Sequence, residues 1–183
     1  ITRLFASQNP ESVSGLVWIE ATHPDNWVRQ GLVESTLGGM PPEQVAGIPV
    51  LTGFGVFRVF PTLRGPWGIV PGLPEQQQAE LTAYFNTNKW AEHIVAVEAA
   101  LPESLDQLRQ AGDVGDIPLT VVLGSASENA SGVGLELQRE LSALSSQSQE
   151  YWVEGADHSS LVHQEEYARQ TAQAILDMLL QSK

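Results

Sequence analysis

The chain contains no cysteine among its 183 residues. That excludes disulfides, a thiolate nucleophile and Cys-ligated zinc, and it fits a reducing compartment, so a cytoplasmic setting is the expectation. Basic residues are scarce: nine Lys and Arg stand against 22 Asp and Glu, a formal net charge of −13. Phosphate binding needs clustered Lys and Arg, so nucleic acid is not an expected partner, and the acidic excess reads as a solvated surface. No apolar run approaches the roughly 18 residues of a membrane span. The four histidines, His23, His93, His158 and His163, are dispersed with no i, i+4 pair, so neither a metal site nor a cofactor is expected. Repeats and low-complexity tracts are absent, as are an initiator methionine and a signal peptide. The opening "ITRLFASQNP" reads as a helix already under way that Asn9-Pro10 stops. The expectation is therefore the later part of a larger protein.

What is present is a globular composition. Hydrophobic residues make up 42% and charged residues 17% of the chain, enough for one domain with a sizeable core. Leu16 to Ile19 is a continuous apolar run bounded by Gly15 and His23-Pro24, which suits a strand buried on both faces of a parallel sheet. "DIPLTVVLGSAS" repeats the pattern, with Pro118 at the entry, a strand over 119–123 and Gly124 at its end. "QEYWVEG" supplies a third strand just before His158. The final helix carries Ala168, Ala172, Ile175, Leu176 and Leu179 on one stripe, the face expected to pack inward. Strands alternating with helices indicate an α/β layer with right-handed crossovers.

Between the first two strands lie nearly a hundred residues that do not read as sheet. Residues 31–75 are rich in Gly and Pro, with Phe54, Phe57, Phe60 and Trp67 scattered among them; most of these aromatics are expected to be packed, a minority to line an apolar cavity. From Pro74 the pattern is helical. Leu81, Tyr84 and Phe85 share a face, Trp90, Ile94, Val97 and Leu101 form a stripe, and a further short helix runs from near Pro102 to Gly112. The division expected is a core of 1–30 and 111–183 with a helical lid inserted over 31–110.

In open α/β sheets, chemistry sits beyond the carboxyl ends of the strands. Three candidates fall there: Glu20 after the first strand, Glu128 after the second, and His158 on the turn after the third. An acid beside a histidine fixes the imidazole tautomer and stabilises the imidazolium formed when the base takes a proton. Glu20 is the expected acid because a rigid strand directs it, whereas Glu128 lies in "SASENASG", a stretch that reads as flexible. Asp157 is too near in sequence to face His158, and Asp25 lies too far along. His163 is expected on the exposed start of the last helix, His23 in a turn-capping or surface role, and His93 in a structural role on the lid.

"ASQNPESVSGLVWIEATHPD", "GDIPLTVVLGSAS" and "GADHSSLVHQEEYARQTAQAILDML" together resemble the part of the α/β-hydrolase superfamily that follows its nucleophile elbow. The histidine loop is the most specific part and the region between 30 and 110 the weakest. The superfamily orders its triad as nucleophile, acid, histidine; it usually places the acid after the strand matching 119–123, which would favour Glu128. Some members, haloalkane dehalogenases among them, instead resemble this chain in a glutamate at the end of the earlier strand. The elbow motif G-x-S-x-G occurs nowhere in the 183 residues. "LGSAS" has the wrong spacing, and "LGG" at 37–39 has no serine nucleophile before it.

The resemblance implies a serine-type hydrolase of an ester or related carbonyl substrate with an apolar group. This chain would supply base, acid and lid, and the missing N-terminal half of the same fold would be its partner; alone it would be inactive. A haloalkane dehalogenase or epoxide hydrolase with an upstream Asp nucleophile is the second enzymatic reading. A non-catalytic α/β-hydrolase-like binding protein is the third.

Overall fold

A computed structural model describes residues 1–32, 42–64 and 69–181; Trp67 and the "LGG" at 37–39 lie outside them. The chain divides into two compact units, residues 1–30 with 105–183, and residues 31–104. In the first unit the elements are α1 (Thr2–Gln8), β1 (Leu16–Ile19) and α2 (Asn26–Arg29), then β2 (Leu119–Gly124), α7 (Gly132–Ser142), β3 (Ser148–Val153), α8 (Ser160–His163) and α9 (Glu165–Gln181). In the second are α3 (Pro42–Gly53), α4 (Val56–Val59) and α5 (Glu75–Phe85). α6 (Asn88–Gln110) begins there and continues past the boundary.

The three strands form one parallel sheet in the order β1-β2-β3, with Leu16 opposite Leu119 and Leu119 opposite Ser148. This is the expected α/β class. The central strand, "LTVVLG", is buried at every position, as a continuous apolar run requires when both faces are covered. Leu119, Val121 and Leu123 pack with Leu16, Trp18, Ala6 and Leu141 on one face. On the other, Val122 packs with Val153, Leu161 and Ala174, against half-buried Val17 and Ile19. Each fully buried Leu or Val contributes roughly 2 kcal/mol over leaving it exposed, so β2 is the main apolar anchor of the sheet. β1 departs from the expectation of equal burial: its positions alternate between buried and intermediate. β3 is an edge strand whose first three residues are exposed.

The last helix turns the other way from its sequence stripe. Its inward side chains are Thr171, Ala174 and Met178. The expected stripe faces out: Ile175 is 38%, Leu176 52% and Leu179 54% exposed. Small residues let α9 lie close to the sheet, and two apolar faces on one helix leave periodicity unable to choose between them.

The second unit has its own core of Val45, Ile48, Phe57, Trp90 and Ala91, with Phe85 and Ile94 against it. Of the four aromatics expected to be mostly packed, only Phe57 is buried among those described; Phe54 is 85% and Phe60 57% exposed. The Gly/Pro-rich stretch also holds a helix, α3, with Pro49 inside it. The helix break expected near Pro102 does not occur, and α6 runs through it. Proline removes one ladder donor there, and two residues on the Ser104 hydroxyl donates to the Ala100 carbonyl at 2.8 Å.

Candidate active site

β1 delivers Glu20 to the end of the sheet. Its N–H still donates to the Val122 carbonyl at 3.0 Å, the last rung against β2. The residue then adopts φ 40°, and among the described residues no other non-glycine has positive φ. A left-handed conformation costs an L-residue about 1–2 kcal/mol, so surrounding contacts must hold it. They do so through the side chain, which has no exposed surface. Oε1 accepts from the Gly124 N–H at 2.9 Å. Oε2 accepts from the Ser127 hydroxyl at 2.8 Å, the Asn129 amide at 3.0 Å and His158 Nδ1 at 2.9 Å.

Three of those donors come from the last residue of β2, Gly124, and the turn that follows it, and at Gly124 a side chain would not fit. A Cβ at Gly124 would sit 2.3 Å from the Ala156 carbonyl oxygen. The turn is laced to the one after β3: Ser125 N–H donates to Val153 at 3.0 Å and Ala126 N–H to Ala156 at 2.9 Å. Gly155 N–H donates to the Ser125 hydroxyl at 2.8 Å. Ser127 also caps the 3₁₀ turn Glu128–Ala130 by accepting from the Asn129 N–H. The "SASENASG" stretch is thus built rather than flexible. Within it Ser127 and Asn129 aim at Glu20, and Glu128 between them is exposed.

Gly155, at φ 78°, turns the chain out of β3, and buried Ala156 anchors the loop. Asp157 is occupied locally, its Oδ1 accepting from the Ser160 N–H at 2.8 Å and its own N–H donating to the Ser160 hydroxyl at 2.8 Å. His158 projects from this capped turn with its side chain 64% exposed. An ionised carboxylate only accepts, so Nδ1 carries the hydrogen of this bond. Nε2 hydrogen-bonds no described residue.

The electrostatics reinforce the pair. Burial opposes ionisation of Glu20, but hydrogen bonds from His158, Asn129, Gly124 and Ser127 outweigh it and hold its pKa at about 2. The hydrogen bond to Glu20 raises His158 above its ordinary value, against partial burial and with help from the charges of Glu20, Glu128 and Asp157.

The structure therefore brings Glu20 and His158 together and leaves Glu128 outside. Asp25 binds Arg109 at 2.8 Å. His23 caps its own turn, Nδ1 accepting from the Asp25 N–H at 3.1 Å, with Nε2 3.5 Å from Glu140. Burial lowers the pKa of His23 despite the opposing charges of Asp25 and Glu140. His163 ends α8, its Nδ1 bonded to the Ser159 carbonyl at 2.8 Å. His93 lies on an exposed face of α6 and not in a core. Among the described residues no three His, Asp or Glu side chains converge to hold a metal ion, and no helix is long and apolar enough to cross a membrane. Sequence reasoning missed Gly124, Ser127 and Asn129 as partners of the acid. The signal available was the run of small hydrogen-bonding residues directly after a buried strand.

No protein-family model and no curated protein matches the sequence. Solved structures match it in three dimensions. A candidate lipase of Acinetobacter baumannii AYE superposes with a TM-score of 0.56 at 17% identity, over 98% of this chain and 57% of the other. An inferred ancestral haloalkane dehalogenase gives 0.56 at 17% identity, over 98% and 65%. An α/β-hydrolase enzyme from a Medee basin deep-sea metagenome library gives 0.55 at 13% identity, over 100% and 62%. These are proteins of the α/β-hydrolase fold, and this chain has that fold, in its C-terminal portion. It spans 57 to 65% of the length of those structures.

Proposed function

We propose that this chain supplies the acid–base part of a hydrolase active site. His158 is the general base, Glu20 the acid that orients it, and the nucleophile comes from a segment outside these 183 residues. One observation carries the reading: a buried carboxylate 2.9 Å from Nδ1 of an exposed imidazole whose Nε2 hydrogen-bonds no described residue. With a serine at Nε2, the hydroxyl proton passes to the imidazole as the oxygen attacks an ester carbonyl. Glu20 stabilises the imidazolium, which gives the proton to the departing alkoxide and leaves an acyl-enzyme. Water, deprotonated at Nε2, releases the acid and returns the serine its proton.

Two further surfaces support an added segment. β1 pairs with β2 alone among the described residues, and an unpaired apolar edge invites another strand. The outward Ile175, Leu176 and Leu179 of α9 form an apolar face of the kind that partners cover. The helical unit of 31–104 is proposed as the substrate-selecting lid, its exposed Phe54, Phe60 and Leu63 suiting an apolar acyl or alcohol group.

The second reading places an aspartate in the nucleophile position, with His158 activating water against an alkyl-enzyme ester, as in a haloalkane dehalogenase or epoxide hydrolase. The position of the acid at the end of β1 favours it. A binding protein that keeps the pair without any nucleophile is the third reading. In the full-length protein, p-nitrophenyl ester turnover with fluorophosphonate labelling, both lost in His158→Ala, supports the serine reading. Halide release or epoxide opening without labelling transfers the assignment to an aspartate. Neither activity on either substrate class overturns the catalytic reading and leaves binding.

A further inference from the structure

We propose that Ser127 and Asn129 are positioning residues: they lock the Glu20 carboxylate so that His158 is held in its Nδ1–H tautomer with Nε2 kept as the basic nitrogen. The proposal rests on the pairing of Glu20 with His158 read above as an acid and its base. A glutamate side chain turns about several bonds, and the Gly124 N–H at 2.9 Å holds only its Oε1, so a hydrogen bond to an exposed imidazole would not by itself fix Oε2. Here Oε2 is met from one side by the Ser127 hydroxyl at 2.8 Å and the Asn129 amide at 3.0 Å. Its remaining contact is Nδ1 of His158 at 2.9 Å. Both donors stand on a turn that grips the histidine turn as well, through the bonds of Ser125 to Val153 and Ala126 to Ala156. The same short segment therefore sets where the carboxylate lies and where the histidine backbone lies, and so the spacing between them. The Ser127 hydroxyl, donating to Glu20 and accepting from the Asn129 N–H, is committed on both sides. A carboxylate placed this way presents only acceptors, and the imidazole must turn a protonated nitrogen to it.

The tautomer is readable without substrate, from ¹⁵N shifts of His158 above its titration. The other three histidines report whether the fold is intact. The native protein is expected in the Nδ1–H form. Ser127→Ala with Asn129→Ala is expected to shift His158 toward the Nε2–H form that free imidazole side chains favour, while Ser127→Thr, which keeps the hydroxyl, retains the native signature. A folded double variant still wholly Nδ1–H overturns the proposal. Should the double variant unfold, Ser127→Ala and Asn129→Ser singly are read in the same way, and unchanged tautomers in both overturn it. In the full-length protein the double variant should lower kcat by about 100-fold with KM little changed, as misplacement of a catalytic group does. A tautomer that responds as expected in a protein with no turnover on any substrate leaves the positioning intact and sinks only the catalytic reading.

Discussion

Glu20 and Glu128 stand just beyond the ends of adjacent parallel strands, carry the same side chain, and live in opposite surroundings. Glu20 has no exposed side-chain surface and accepts four hydrogen bonds. Glu128 is exposed on a 3₁₀ turn, and its neighbours on either side point at Glu20. The difference lies in the backbone. β1 is followed by a left-handed residue, Glu20, whose side chain reaches the N–H of Gly124 at the end of β2, whereas the turn after Gly124 commits the Ser127 hydroxyl and Asn129 amide inward. A carboxylate becomes a catalytic candidate when neighbouring backbone and side chains collect donors around it, and not from its place at a strand end alone.

Under the proposed function, the largest effect that separates the two is on turnover by the protein that carries the nucleophile. Glu20→Gln should cost about 10⁴ in kcat, because a neutral amide neither fixes the tautomer nor stabilises the imidazolium. His158→Ala should cost at least as much. Glu128→Gln should stay within about threefold. Steady-state kinetics decides it, and a larger loss at Glu128 than at Glu20 reverses the assignment.

Stability should divide the pair next. Glu20→Ala strands the Gly124, Ser127 and Asn129 donors, and leaving a buried donor unmade costs about 1–3 kcal/mol; about 3 kcal/mol in all is expected from the urea midpoint. Glu128→Ala, on an exposed turn, should fall within about 0.5 kcal/mol. Gly124→Ala lies between, at about 1–3 kcal/mol, since its Cβ meets backbone and not a flexible side-chain tip.

These contrasts also show what the sequence could reveal. The strands were legible because β2 is apolar at every position and the run before Glu20 is bounded by Gly15 and Pro24. The choice of Glu20 over Glu128 rests on strand rigidity, and it is Glu20 whose Oε2 lies 2.9 Å from His158 Nδ1. Flexibility is not what sets Glu128 aside. The stretch around it is anchored, and it is the outward direction of one residue, set by a 3₁₀ turn, that removes Glu128. Whether α9 buries Ala174 or Ile175 was illegible, since both faces are apolar and only contact with the sheet selects one. The exposed Phe54 and Phe60 escaped for the complementary reason: aromatic content marks a surface that can be covered without saying what covers it.

The dependence of stability on pH sharpens the comparison further. Glu20 has a folded pKa of about 2, below its ordinary value near 4.5, so its contribution is complete above that ordinary value and is lost as pH falls toward 2. His158 is raised above 6.5, so its contribution is complete below 6.5 and is lost as pH rises through the raised value. Urea midpoints should therefore be highest between about 4.5 and 6.5 and decline on both sides. In Glu20→Gln the acid-side decline from this residue should disappear and the alkaline-side one should flatten. In Glu128→Gln both should persist.

The smallest effect is the one that connects the two carboxylates. The charge of Glu128 helps to raise His158, ranking behind the hydrogen bond and charge of Glu20. Glu128→Gln should therefore move the His158 midpoint downward in an NMR titration, by less than Glu20→Gln does. Because Glu128 is solvent-exposed, its influence passes largely through water and must be screened. At about 1 M salt, where the Debye length is about 3 Å, the difference between Glu128→Gln and the native protein should vanish. The Glu20 contribution is a direct hydrogen bond from a buried oxygen and should survive the same salt. If added salt removes both contributions equally, the Glu20–His158 bond is not formed in solution, and the distinction between the two carboxylates fails with it.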